Sequence, residues 1–186
     1  GKVRLDGADL YQWNKDALGQ HLGYLPQDIE LFAGTVAENI ALPVRYHRNC
    51  LPEETGEAVD AMLEFAGLKE FTHQLAGQLN RSWRQRVALA RALVLRPEVL
   101  LLDNPLAGLD PRQTRWWLDT LAALNAGHPW LAGRPLTLVV TTDDLRPWRD
   151  RARQFALLQR RRWVPLGGRT DLSESSETVI LDFLSA

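Results

Sequence analysis

RPEVLLLDNPLAGLDP, Arg96 to Pro111, is the stretch from which the rest of this chain can be read. Four apolar residues, Val99–Leu102, run without a break into Asp103. A short continuous apolar run of this kind fits a strand buried on both faces of a parallel sheet. An acid at its end can hold a hard cation, which takes oxygen ligands. The next residue is Asn104, where a phosphate-cleaving site would place a second carboxylate as base. Asp103-Asn104-Pro105 read in isolation is also an ordinary strand-ending turn.

Strands and helices alternate on either side of this run. Val3–Leu5 reads as a short strand closed by Asp6-Gly7, Asn14–Leu22 as a helix, and Gly23–Leu25 as a brief strand stopped by Pro26. Thr35 opens a helical TVAENIA, and Leu42–Leu51 reads as a polar, proline-bounded connector. Pro52 begins an amphipathic helix through Phe65, with acids in its first turn. Asn80 is placed to cap the helix SWRQRVALARALVL, whose apolar face is Val87, Leu89, Ala90, Leu93 and Val94. Pro111 starts a helix to Leu124, and Leu136–Thr141 is a further apolar strand. Gln154–Gln159 and Trp163–Leu166 form a terminal hairpin, with Ser176–Leu184 a closing helix. This alternation predicts an α/β fold with a partly parallel core.

Composition excludes several classes. At 186 residues the chain can bury a core of its own. A net charge of −1 gives no general attraction to nucleic acid or an anionic membrane. Arg160-Arg161-Arg162, the local basic run, reads as the solvated end of a strand. One cysteine, Cys50, leaves no internal disulfide and fits a reducing compartment. No apolar run reaches the roughly 18 residues of a membrane span, and no signal peptide opens the chain. The first residue is Gly1, within what reads as a strand already under way, so an excised front boundary is expected. His21, His47, His73 and His128 show no metal-ligand spacing.

Four segments in order carry a specific resemblance: GYLPQDIELFAGTVAENIA, LNRSWRQRVALARAL, VLLLDNPLAGLDP and LVVTTDDL. Together they resemble the nucleotide-binding domain of ABC (ATP-binding cassette) transporters across nearly the whole chain. The resemblance implies a P-loop NTPase-like ABC ATPase core with a helical signature subdomain at roughly 36–96. It treats 1–186 as a single partial domain, with 151–186 as hairpin plus closing helix. It places Gln27 at the Q-loop, contacting metal or water, and Asp103 as the Walker B metal-side acid. Leu79–Trp83 is the signature, of which Asn80, Arg81 and Ser82 face nucleotide phosphate, and Leu106–Asp110 is the D-loop, whose Asp110 is also counted among the nucleotide-binding residues. Thr142 takes the switch-histidine position. ATP and Mg²⁺ are the implied cofactors. The implied partners are a second nucleotide-binding domain, identical or not, and a transmembrane permease met through Asp28–Phe32; nucleic acid is not among them. The implied location is cytoplasmic, peripheral on the inner membrane.

Departures from the family pattern are equally informative. The phosphate-cradling GxxxxGK[ST] does not occur in this sequence; the family places it before the strand with which the chain begins. The expectation is therefore a longer product or weak ATP binding. The usual Ser-Gly-Gly-Gln of the signature is Asn80-Arg81-Ser82-Trp83, and side chains now enter space that glycine leaves to phosphate. Asn80 also reads as nothing more than a helix cap, and Trp83 is hard to fit. HQLAGQ at 73–78 mimics the signature but lies too early relative to RQRVALARAL. Asn104 has no useful basicity, and Thr142 has less reach than histidine and no positive charge. Trp116-Trp117 reads as core and interface packing. The front, VRLDGADLYQW to GYLPQDIELFAGTVAENIA, is similar to type I secretion exporters, while the rear, from ALPVRYHRN onward, is similar to stand-alone ATPase subunits, the change falling near Ile40–Leu42.

Two functions from different classes follow. One is an ATP-binding transporter subunit with impaired hydrolysis. The other is a non-catalytic pseudo-ATPase docking on a permease or an active cassette. A soluble cassette ATPase acting on nucleic acid is disfavoured by the near-neutral charge and the exporter-like Phe32–Asn39.

Overall fold

The computed structural model describes residues 2–48 and 52–174. They fall into two compact units, Gly1–Val140 and Thr141–Ala186.

The first unit is organised by a parallel pair. Strand β3 (Leu22–Leu25) runs beside β4 (Val99–Asp103), with Leu22 opposite Val99 and Leu25 opposite Leu102. β5 (Thr137–Thr141) lies on the far side of β4, giving the order β3-β4-β5. A small antiparallel hairpin, β1 (Arg4–Leu5) with β2 (Ala8–Asp9), precedes them. The apolar run of β4 sends Leu100 and Leu102 into the core, where both are almost fully buried. Gly23 in β3 is fixed by crowding. A Cβ there would stand 2.9 Å from Leu100 Cδ1 and 3.1 Å from the Ala92 carbonyl oxygen.

α1 (Lys15–His21) leads into β3 and is capped by Asn14, whose Oδ1 accepts from the Asp16 and Ala17 amides. Between β3 and β4 the chain is mostly helical: α2 (Val36–Arg48), α3 (Pro52–Phe65) and α4 (Arg81–Leu93). α2 opens with a reciprocal cap. The Thr35 amide donates to Glu38 Oε2 at 2.7 Å, and the Glu38 amide donates to Thr35 Oγ1 at 3.2 Å. The backbone bond from Thr35 holds the Glu38 carboxyl below its usual range, with a second bond from the Thr35 hydroxyl adding to it. That part of the cap is present above the ordinary carboxylate range and is lost as pH falls through the lowered value.

The connector expected from Leu42 onward is instead the second half of α2, which continues through Pro43 to Arg48. Proline inside a helix costs about 3 kcal/mol. Val36, Ile40, Ala41 and Val44 nevertheless keep a helical apolar stripe that is buried, in a helix packed on α3 and α4. Burying each large aliphatic side chain contributes about 1.5–3 kcal/mol, enough for the stripe to override the proline. α4 buries the face expected of it, Val87, Leu89, Ala90, Leu93 and Val94, against α2, α3 and β3. α5 (Pro111–Gly127) follows β4 and returns the chain to β5; the Leu136 amide donates to the Leu124 carbonyl and Asn125 Nδ2 to Leu136 O.

In the second unit β6 (Phe155–Gln159) and β7 (Arg162–Gly167) form the expected antiparallel hairpin. Arg160 and Arg161, at φ 48° and 63°, are its two-residue turn, and Arg162 begins β7. α6 (Arg169–Glu174) follows, and Leu172 packs with Phe155, Leu145, Ala152 and Leu166. The closing helix expected at Ser176–Leu184 lies outside the described residues, as does Cys50.

Candidate functional site

Parallel pairing decides where the candidate metal-side residues stand. Because Leu25 is opposite Leu102, the chain leaves β3 and β4 at the same edge of the sheet. Neighbouring strands lie about 4.8 Å apart, so Gln27 and Asp103 belong to adjacent exits. Asp103 ends β4 half-buried and is engaged within the fold; Gln27 is exposed on the loop after β3. Among the described residues no three His, Cys, Asp or Glu converge as a metal cage. One carboxylate and one amide, Asp103 and Gln27, suit a cation held mainly by water and phosphate oxygens, which is how Mg²⁺ binds.

Asn104 follows in the left-handed region, at φ 45°. Asparagine tolerates that conformation better than most residues with a side chain. Its carbonyl accepts from the Ala107 amide at 3.2 Å, closing the turn that leads to Gly108. The position that the resemblance gives to a base thus carries a residue that tolerates its left-handed backbone.

The segments expected as signature and D-loop meet. Asn80, Arg81, Ser82 and Trp83 at the start of α4 line one cleft with Gly108, Leu109, Asp110 and Gln113 before and within α5, enclosing about 280 Å³. Each wall is organised by a cap. Asn80 Oδ1 accepts from the Trp83 amide at 3.1 Å, and Asp110 Oδ1 from the Gln113 amide at 2.9 Å. Arg81 is exposed at the cleft, its Nη1 beside Gly108. Asn80, Arg81, Ser82 and Asp110 are therefore brought together.

Trp83, awkward as a signature residue, has a structural place. Its ring lies 4.8 Å from Phe71 and 4.7 Å from the Arg86 guanidinium. The same guanidinium lies 3.7 Å from the centre of the Trp116 ring. Arg86 also donates to Gln113 Oε1 at 3.0 Å and to the Ala66 carbonyl at 3.3 Å. Burial, and after it Arg112, draws the Arg86 pKa below its usual value. Cation–π stacking on two indoles and two carbonyl acceptors compensates the buried charge. Arg86 and Gln113 were not singled out from sequence; the Trp83–Arg86 spacing of three on one helix face was the available signal. Trp117 is fully buried core, as expected, while Trp116 stacks on Arg86.

The loop Asp28–Phe32 lies against α4. Arg84 Nη2 donates to the Ile29 carbonyl at 2.8 Å and Arg91 Nη2 to the Glu30 carbonyl at 3.0 Å. Asn39 grips the loop's end, accepting from the Phe32 amide at 2.9 Å and donating to its carbonyl at 3.1 Å. Phe32 remains 59% exposed.

Thr142 belongs to the second unit. Its hydroxyl donates to the Asp144 carbonyl at 3.0 Å and accepts the Asp144 amide at 3.1 Å. The Thr142 hydroxyl is thus committed to a local turn. Arg146 binds both Asp144 carboxylate oxygens, each at 2.9 Å, and that side-chain pairing lowers the Asp144 pKa. This contribution to the turn persists above the ordinary carboxylate range and is lost as pH falls through the lowered value.

No described helix is long and apolar enough to cross a membrane. The family model described as ABC transporter matches residues 1–107. The type I secretion system ATP-binding protein PrsD of Rhizobium meliloti is 44% identical over 121 residues, covering 59% of this chain and 20% of PrsD. The probable ribonucleotide transport ATP-binding protein mkl of Mycobacterium leprae is 30% identical over 100% of this chain and 53% of its own length. The chain thus spans from a fifth to about half of these relatives, at 20% and 53%. Among solved structures, the ATP-binding cassette MJ0796, a dimer in a post-hydrolysis state bound to ADP and Pi, superposes with a TM-score of 0.73. It is 28% identical, over 90% of this chain and 74% of that one. A buried parallel strand ending in Asp103, a cleft joining the start of α4 to the turn before α5, and these matches converge: the chain belongs to the ABC transporter family.

Proposed function

We propose that this chain is the ATP-binding part of an ABC transporter, and that it hydrolyses ATP slowly. The observation that carries the proposal is the cleft uniting Asn80, Arg81 and Ser82 with Asp110. Helix N-termini favour phosphate through free amides and the helix dipole. In this reading Asn80, Arg81 and Ser82 receive the nucleotide of a second nucleotide-binding domain, with Asp110 holding the facing wall. Asp103 and Gln27 take the metal side of the chain's own nucleotide. Bound Mg²⁺ would neutralise phosphate charge there. The donors fit that half of the site, while the backbone cradle for the phosphates is not among the residues of this sequence. Asp28–Phe32 meets a transmembrane permease, which places the chain on the cytoplasmic face of the inner membrane. One domain with a helical subdomain at roughly 36–96 is the corresponding organisation.

A second reading, a pseudo-ATPase that docks without turnover, is favoured by Asn104 in its left-handed turn and by the internally bonded Thr142 hydroxyl. One pair of measurements on the full-length protein separates them: equilibrium binding of Mg·ATP and steady-state phosphate release. Binding with slow release is expected. Binding with no release favours the pseudo-ATPase, and absence of both contradicts the two readings together.

A further inference from the structure

Irregular backbone cannot satisfy its carbonyls through a helix or a sheet ladder, so each must find another donor. In the 28–32 loop two successive carbonyls, Ile29 and Glu30, find arginines of the same helix. Arg84 and Arg91 are seven residues apart, two turns of α4 and about 10 Å along its axis. They lie on one face, and their guanidinium groups bind adjacent carbonyls. Arg91 adds a second hold, its guanidinium 5.3 Å from the Phe32 ring centre. Asn39 of α2 completes the grip with a pair of bonds to the Phe32 backbone. The Arg91 guanidinium is also partly buried, which lowers its pKa.

The same helix begins at the cleft, with Asn80–Trp83 in its wall and Arg84 immediately after. We propose that Arg84 and Arg91 are positioning residues: they fix the 28–32 loop as one rigid piece with α4, so that Asp28, Glu30 and Phe32 are presented in a set arrangement. As a device for presenting a partner surface, this rests on the permease-docking reading above. The anchor itself does not, because it concerns contacts within the chain. Lysine would restore a charge and a donor at each position, but not the planar guanidinium that faces the Phe32 ring.

The test is limited proteolysis of the full-length protein, without nucleotide, by a protease that cuts after glutamate. The rate after Glu30, in the loop, is compared with that after Glu57, inside α3. R84M/R91M keeps long unbranched stems and removes both donors, and replacing a part-buried charge by an apolar side chain of similar volume often leaves stability unharmed. The Glu30 cut is expected to become about tenfold faster while the Glu57 cut is unchanged, since cleavage tracks the population of the opened segment. R84K/R91K is expected to recover part of the protection. R84M and R91M singly, each keeping one anchor, are expected to lie between wild type and the double variant. An unchanged Glu30 rate in folded R84M/R91M, or equal acceleration at both sites, overturns the proposal. The assay contains no nucleotide and no membrane partner, so the anchor can fail while the proposed function stands, and the reverse.

Discussion

Asn104→Glu in the full-length protein is expected to raise steady-state phosphate release from Mg·ATP by about a hundred- to ten-thousand-fold, the usual contribution of a general base. The expectation follows from position. Residue 104 is the first beyond β4, next to the acid assigned to the metal side. An amide there can orient water but cannot take its proton. The substitution carries a conformational cost, because φ at 104 is 45° and glutamate gains less from the left-handed region than asparagine. That cost is on the order of 1 kcal/mol, well below the barrier change sought, which is about 3–5 kcal/mol for such a rate factor. Phosphate release in N104E no faster than in wild type, with nucleotide binding intact, would show that this position is not where a base acts.

Gly127→Ala is expected to have the largest effect on stability, about 2–6 kcal/mol. Gly127 ends α5 with φ at 107°, outside the regions open to a residue with a side chain. A Cβ there would collide with the Gly133 carbonyl, and a backbone atom cannot step aside as a side-chain tip can. The strained dihedral costs about 1–3 kcal/mol, and overpacking typically another 1–3 kcal/mol. Denaturant unfolding checks this: the midpoint should fall sharply in G127A. A midpoint within error of wild type would mean that the 127–133 turn is not formed as described.

The strand and several helix starts were readable for physical reasons. The apolar run Val99–Leu102 marked β4, in which Leu100 and Leu102 are buried and Val99 and Leu101 only partly so; Asn80 stands at its helix start, and Pro52 and Pro111 open helices at positions where a missing amide hydrogen costs nothing. Pro43 misled for the complementary reason. A local breaker was outweighed by a buried stripe whose partners, α3 and α4, come from later in the chain. The Arg86 stack was hidden because its second indole, Trp116, is thirty residues away and meets it only in the folded chain. Likewise Arg84 and Arg91 bind backbone carbonyls 55 and 61 residues earlier, and carbonyls leave no mark in a sequence. The commitment of Thr142 to Asp144 was local and could have been found, since Ser and Thr commonly bond backbone two residues on.

The central claim is that Asp103, at the end of β4, serves the metal side of a bound nucleotide. Calorimetric titration of the full-length protein and of D103N with ATP, each with Mg²⁺ and with a chelator in its place, addresses it most directly. Wild type should bind more tightly with Mg²⁺ than without, and D103N should lose about 10- to 100-fold of that metal-dependent affinity while its affinity for metal-free ATP is unchanged. Equal affinities for Mg·ATP in the two proteins, or an equal loss with and without the metal, would contradict it.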